Sequence, residues 1–231
     1  MAYLYLDVET LQTTNSDVIA DLESKITAPG QYKKPDSIAE WIKENHDSEL
    51  EKLVSQTSFN ALHGSIACIC FALDDDEVQA VSTKDQNELA MLTEFYEILL
   101  EKISEDRQGG NRGHRDLVVV GHNVVGFDLP FIKQRSIING IRPPTELQLA
   151  MSAKPWDKYV QDTMLLWSTD SQKRVSMDSL CRAFNIPGKG DFDGSKVNSE
   201  WTTGSKTKVI DYCRMDVVRT REIYKRITFS H

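Results

Sequence analysis

The residues best placed to do chemistry stand in the first ten positions, where the run Tyr3-Leu4-Tyr5-Leu6 leads straight into Asp7-Val8-Glu9-Thr10. An apolar, aromatic run of this kind predicts a β-strand. Strand side chains alternate between faces, so Asp7 and Glu9 point the same way and can share one cation. Hard oxygen donors of that type suit Mg²⁺ or Mn²⁺. Taken alone, an Asp-x-Glu pair is more often a strand whose polar face merely ends in solvated acids. Two later stretches add weight. Val119-Val120-Gly121-His122-Asn123 leads to Gly126-Phe127-Asp128, and Tyr212-Cys213-Arg214-Met215-Asp216 follows near the C-terminus. In a helix, Tyr212 and Asp216 lie one turn apart on the same face and can act together. Each of these residues also has an ordinary reading: Asp128 as a first-turn helix acid, Tyr212 as a core tyrosine, Asp216 as a solvated carboxylate.

The elements that must position these groups are legible in outline. After the first strand the chain leaves any periodic pattern for about fifty residues, a length of connection that is uncommon unless it is functional. Within it, Pro29-Gly30 marks a turn, and Ser37-x-x-Glu40 reads as a capping box opening a helix to about Gln56. Ile38, Trp41, Ile42, Leu50 and Leu53 form its apolar stripe, which suits either a flanking helix or a lid over a site. Ser65 to Leu73 is apolar and β-branched enough for a buried strand. Asp74-Asp75-Asp76 then reads as a hairpin turn into a second strand, Glu77 to Ser82.

Asp85 or Asn87 can cap a helix running to about Ile103, with Leu89, Leu92, Phe95, Tyr96, Leu99 and Leu100 on its apolar face. Gly109 to Gly113 is a flexible connector whose Arg112, with the neighbouring His114, could touch phosphate. Leu117 to Val120 is a short buried strand, broken at Gly121-His122-Asn123 before a helix carrying Phe127, Asp128, Phe131 and Ile132. Tyr159 to Thr163 is a further strand; Asp162 caps the segment after it and is therefore left out of the catalytic set. Ser176 caps a short helix ended by Ile186-Pro187-Gly188, a Gly, Lys and Asp loop spans Gly188 to Lys196, and a last helix runs from Ser205 to about Thr228. Strands joined by both hairpins and helices predict an α/β domain with a mixed sheet flanked by helices.

Composition narrows the class. The 231 residues suit one sizeable domain, 40% of them hydrophobic and 27% charged, as in ordinary soluble proteins. No apolar run is long enough to span a bilayer and no signal-like core follows a basic N-terminus, so no membrane association and a cytoplasmic location are expected. Cys68, Cys70, Cys181 and Cys213 form no C-x-x-C pair and read as buried thiols. A net charge of −8 argues against broad non-specific affinity for nucleic acid, yet carboxylates reserved for cations contribute negative charge that bound ions cancel.

Taken together, Asp7-x-Glu9 ending the first strand, Asn123 with Phe127-Asp128 at a strand-to-helix junction, and Tyr212-x-x-x-Asp216 in the last helix resemble the DEDD superfamily of 3'-to-5' exonucleases. The fold this implies is ribonuclease-H-like. Tyr212 points to the tyrosine subclass (DEDDy), because the histidine subclass places its His five residues before the final Asp, where this chain has Asp211. The stretch from Ser179-Leu180-Cys181 through Pro187-Gly188-Lys189-Gly190-Asp191 to Asp193-Gly194-Ser195-Lys196 is similar to the exonuclease portion of family B DNA polymerases, particularly stand-alone members. The resemblance covers residues 1–231 as a single exonuclease domain, apart from an insertion at about 11–62 that departs from the pattern.

The resemblance implies two divalent ions, Mg²⁺ or Mn²⁺, held by Asp7, Glu9, Asp128 and Asp216. Such a pair, about 3.5–4 Å apart, activates water and compensates charge on the attacking and leaving oxygens of a phosphodiester. It further implies that Asp7, Glu9 and Asp216 hold the water-activating ion, that Asp128 supports the second, and that Tyr212 orients the water. An unperturbed tyrosine, with pKa near 10, is a poor base at neutral pH. Asn123 and Phe127 are candidates for the terminal nucleotide, the ring by stacking on a base, and Lys189 and Lys196 for phosphate; ordinary structural roles suit each of the four equally. The expected partners are DNA 3' ends, with RNA and replication or repair proteins possible. Two other readings stay open. One is a non-catalytic nucleic-acid-binding module; the other is an aspartyl phosphatase, from the superficial D-x-D-x-T likeness of Asp7-Val8-Glu9-Thr10.

Overall fold

The computed structural model describes residues 1–108, 116–168, 174–188, 190 and 192–230. The chain divides into two compact units, one of Met1–Glu9 with Ile66–His231 and the other of Thr10–Ser65. The Gly109 to Gly113 connector with Arg112 and His114 lies outside the described residues, as do Lys189 and Asp191.

The larger unit is built on a five-stranded sheet in the order β3-β2-β1-β4-β5. Its strands are β1 (Ala2–Leu11, whose last residues pass into the smaller unit), β2 (Ser65–Leu73), β3 (Gln79–Ser82), β4 (Leu117–Gly121) and β5 (Val160–Asp162). β2 and β3 form the antiparallel hairpin that the three aspartates predict, with Asp74 in the left-handed region at φ 49°. β1 and β4 pair in parallel, Ala2 opposite Leu117 and Tyr5 opposite Val120, and β4 pairs in parallel with β5. The sheet is therefore mixed and, with its flanking helices, meets the α/β expectation.

Burial follows position in the sheet. Every residue of β4 is buried, as is every residue of β2 after Ser65, which is why both read as unbroken apolar runs. β1 differs: between Ala2 and Glu9 its even positions are buried while Tyr3, Asp7 and Glu9 are only partly covered. The central strand thus carries a half-open face that ends in acids.

The last helix, α9 (Lys206–Ile227), lies on that face. The Tyr224 ring packs on Tyr3 and Tyr5 with centroids 5.5 and 6.0 Å apart, and the Arg221 guanidinium sits 6.0 Å from the centre of the Tyr5 ring. Toward the other end, Cys213 Sγ donates to the backbone oxygen of Asp7 at 3.4 Å. Eleven helical residues rise about 16 Å and four strand residues about 13 Å. α9 therefore runs antiparallel to β1, which brings the Tyr212–Asp216 turn to the acidic end.

Besides α9, the larger unit carries α3 (Glu88–Gln108), α4 (Asp128–Ile138), α5 (Thr145–Ser152), α6 (Thr163–Trp167), α7 (Met177–Phe184) and α8 (Val197–Thr203). Asn87, not Asp85, caps α3 by accepting from the Ala90 amide at 2.8 Å. Leu92, Phe95, Tyr96 and Leu99 are buried as expected, but Leu89 and Leu100 are 44% and 47% exposed, because Met91 and Ile103 shift the buried stripe around the helix. α5 and α8 were not foreseen; both are too short to show a clear period.

In the smaller unit, α1 (Ser16–Glu23) packs against α2 (Pro35–Gln56). The capping-box expectation fails here. α2 starts two residues before Ser37, with Pro35 in its first turn, and the Ser37 hydroxyl donates back to the Lys34 carbonyl. Proline is suited to that position, since its missing amide is one the helix leaves unpaired. The stripe of Ile38, Trp41, Ile42, Leu50 and Leu53 is half-buried, with no residue of α2 fully covered, and the Tyr32 ring lies 6.1 Å from that of Trp41.

Candidate functional site

Four acids and a tyrosine from three distant stretches come to the end of β1. Asp7 and Glu9 project from the same side of the strand, and Asp216 comes from α9. One carboxylate oxygen from each lies within 4.8 Å of those of the other two. Asp216 is 2% exposed, while Asp7 and Glu9 are half-covered, so the triad has a sealed side and an open one.

Asp128 joins through the backbone. The β4 strand ends at Gly121, and Asn123 turns the chain in the left-handed region at φ 66°. Its carbonyl accepts from the amides of Gly126 and Phe127 at 3.0 and 2.9 Å. A Cβ at Gly126 would lie 2.5 Å from Asn123 Oδ1, so a larger residue here would force the Asn123 side chain to move. Asp162 fixes the same turn: its carboxylate accepts from the amides of Asn123, Val125 and Met164 at 2.9, 3.1 and 3.0 Å. Its exclusion from the catalytic set agrees with this capping role.

The turn delivers Asp128 as the first residue of α4, where its Oδ1 accepts from the Val8 amide, between Asp7 and Glu9, at 3.1 Å. Burial, reinforced by the charges of Asp162 and Asp216, pushes the Asp128 carboxyl up to about 7 against the pull of backbone amides that include Val8. Phe127 precedes the helix, half-buried, with its ring 5.5 Å from Phe131.

Tyr212 is 8% exposed and its ring is 4.8 Å from that of Phe192. Lys196 is exposed at the end of a 3-10 turn, Gly194–Lys196, capped by Asp193.

Sequence reasoning passed over two residues. Phe192 gives no signal in isolation. Arg219 could have been found from its spacing, three residues beyond Asp216; it is 6% exposed and its Nη1 donates to Asp216 Oδ1 at 2.7 Å.

A second donor cluster lies under the first. The sulfurs of Cys68, Cys70 and Cys213 also lie within 4.8 Å of one another, but all three residues are completely buried. Burial pushes the Cys70 and Cys213 thiols well up, so they pack as neutral groups and seat α9 against the sheet. The carboxylates, by contrast, offer hard oxygen donors with one side open, which is the donor set that suits Mg²⁺ or Mn²⁺.

A family model described as a predicted 3'-5' exonuclease related to the exonuclease domain of PolB matches residues 58–231. Among solved structures, the family B DNA polymerase from the hyperthermophilic archaeon Pyrobaculum calidifontis superposes with a TM-score of 0.57 over 99% of this chain. Sequence identity is 13%, and the match covers 24% of that polymerase. No curated protein matches the sequence. Among the described residues, no helix is long and apolar enough to cross a membrane.

Proposed function

This chain belongs to the family of predicted 3'-5' exonucleases related to the exonuclease domain of PolB, and from that premise we propose that it removes nucleotides from DNA 3' ends by metal-dependent phosphodiester hydrolysis. The observation that carries the proposal is the convergence of Asp7, Glu9 and Asp216 oxygens within 4.8 Å from positions some two hundred residues apart. In this reading the whole of residues 1–231 is one exonuclease domain, interrupted at about 11–62.

Asp7, Glu9 and Asp216 would hold one divalent ion, and Asp128 would support a second. Bound ions would supply an acidified water and charge compensation for the attacking and leaving oxygens. The chain's own residues do the positioning. Asp128 is tied to the Val8 amide, so its carboxyl keeps a fixed place relative to the two strand acids. Tyr212, packed on Phe192, presents its hydroxyl as a hydrogen-bond partner for the attacking water. Phe127 and Asn123, at the turn before α4, would meet the terminal nucleotide, the ring by stacking. Lys196 and, outside the described residues, Lys189 would serve phosphate.

Incubating the protein with end-labelled single-stranded DNA or RNA, in Mg²⁺, Mn²⁺ or EDTA, tests this directly. Stepwise shortening from the 3' end that requires a divalent ion is expected, with DNA preferred. Absence of metal-dependent shortening on either polymer would sink the proposal and favour a binding module.

Tyr212→Phe should be milder than loss of an acid. The ring packing on Phe192 survives and one hydrogen bond is lost, costing about 1–3 kcal/mol, or roughly ten- to a hundred-fold in rate. A steady-state comparison of kcat would show it; inactivity as complete as that of an acid variant would mean the hydroxyl does more than orient water.

A further inference from the structure

Arg219 is buried in direct contact with one of these acids, and its three hydrogen bonds go to two different parts of the molecule. Nη1 donates to Asp216 Oδ1 at 2.7 Å, Nε to the Pro187 carbonyl at 3.0 Å, and Nη2 to the Gly188 carbonyl at 2.7 Å. Asp216 and Arg219 lie three residues apart on α9, and seven residues, about two turns, separate Arg219 from Tyr212. Tyr212 in turn carries the Phe192 ring at 4.8 Å. One face of α9 therefore holds the chain that follows α7 at two points, Pro187–Gly188 and Phe192, on either side of Asp216.

We propose that Arg219 is a positioning residue that fixes the Asp216 carboxylate for a divalent ion and locks the Pro187–Gly188 backbone to it. This rests on the metal-dependent reading above and deepens it. A guanidinium is suited to the task because its planar fork presents several donors in fixed directions at once. A lysine at 219 would keep the positive charge but, as a single ammonium on a flexible stem, could not hold a carboxylate oxygen and two carbonyls in this arrangement. Partners that orient a metal-ligating side chain typically matter ten- to a hundred-fold in metal affinity or activity when removed.

The sign of the effect separates positioning from mere charge. A positive group beside a ligand set repels a cation, so if Arg219 supplied charge alone, Arg219→Gln would tighten Mn²⁺ and Arg219→Lys would leave it unchanged. Positioning predicts that both variants bind Mn²⁺ about tenfold or more weakly, read by electron paramagnetic resonance of free Mn²⁺ without substrate. It also predicts a lower kcat together with a raised KM for an oligonucleotide, because the ligand and the Pro187–Gly188 backbone are released together.

Arg221→Gln is the control. Arg221 holds the carbonyls of Asp74 and Asp76 at 3.2 and 2.9 Å, so its loss should lower Tm without moving the Mn²⁺ affinity. Folded Arg219 variants with wild-type Mn²⁺ affinity would overturn the proposal, as would failure of both variants to fold, which would mark Arg219 as a residue of the core. Wild-type protein that binds no Mn²⁺ would overturn the metal-dependent reading itself, and this inference with it.

Discussion

Asp7→Asn is expected to lower nucleotide release by about three orders of magnitude or more, equivalent to ~4 kcal/mol of lost transition-state stabilisation, while leaving Tm nearly unchanged. Asparagine keeps the shape but removes the charge on which the proposed binding of divalent ions depends. Asp7 is only half-covered, although one of its carboxylate oxygens is buried, and asparagine fills the same volume, so little change in stability is expected. Asp216→Asn should be as inactive but less stable. Asp216 is 2% exposed and paired with the 6%-exposed Arg219, so removing its charge leaves a buried guanidinium uncompensated. An amide oxygen can still accept from Nη1, which limits the cost to about 1–3 kcal/mol. Steady-state cleavage assays alongside thermal melting separate the two. An Asp7→Asn protein that cleaves at the wild-type rate would remove Asp7 from the site.

What was legible in the sequence follows from where each residue sits. Asp7 and Glu9 were readable because a half-exposed central strand imposes period two on its side chains. β2 and β4 were readable because a strand covered on both faces is continuously apolar. Tyr212 and Asp216 share a long helix with a clear period, and Asp162 stood next to the short element it caps. The failures have the opposite character. Ser37 and Glu40 matched a capping pattern, but Pro35 starts α2 earlier and outweighs a motif lying two residues inside. α5 and α8, of eight and seven residues, span two turns each and leave too few positions for a period to show. The pairing of Arg219 with Asp216 follows a local spacing of three, but its link to the carbonyls at residues 187 and 188, about thirty positions away, is encoded by no local pattern. Likewise, the Cys68, Cys70 and Cys213 cluster joins a strand to a helix nearly 150 residues later, so only the strand pair was visible beforehand.

Asp128→Asn is expected to reduce cleavage by about two orders of magnitude or more and also to change how the metal-free protein responds to pH. Burial pushes the wild-type carboxyl up to about 7 in the folded chain, whereas in the unfolded chain it keeps its ordinary value of 3.8. Between those values the folded state holds a proton that the unfolded state has lost. Stability from this group is therefore fully present below about 3.8 and is lost as pH rises through about 7. In EDTA, Tm should fall between pH 6 and pH 8 by a few degrees, since linkage of one proton supplies at most about 1.4 kcal/mol per pH unit. Asparagine is neutral at every pH and retains an oxygen for the Val8 amide, so the variant should keep the fold and show a flatter profile over this range. Divalent ions reverse the balance. Bound at the proposed site, they would favour the ionised carboxyl and compete with its proton, so Mg²⁺ or Mn²⁺ should raise Tm more at pH 8 than at pH 6, and half-maximal cleavage should require more metal at the lower pH. Thermal melts at both pH values, with EDTA and with Mn²⁺, test all of this for both proteins. If the wild-type and Asp128→Asn profiles in EDTA run parallel between pH 6 and pH 8, Asp128 is already ionised in the folded chain, and its role in setting the metal requirement at low pH falls.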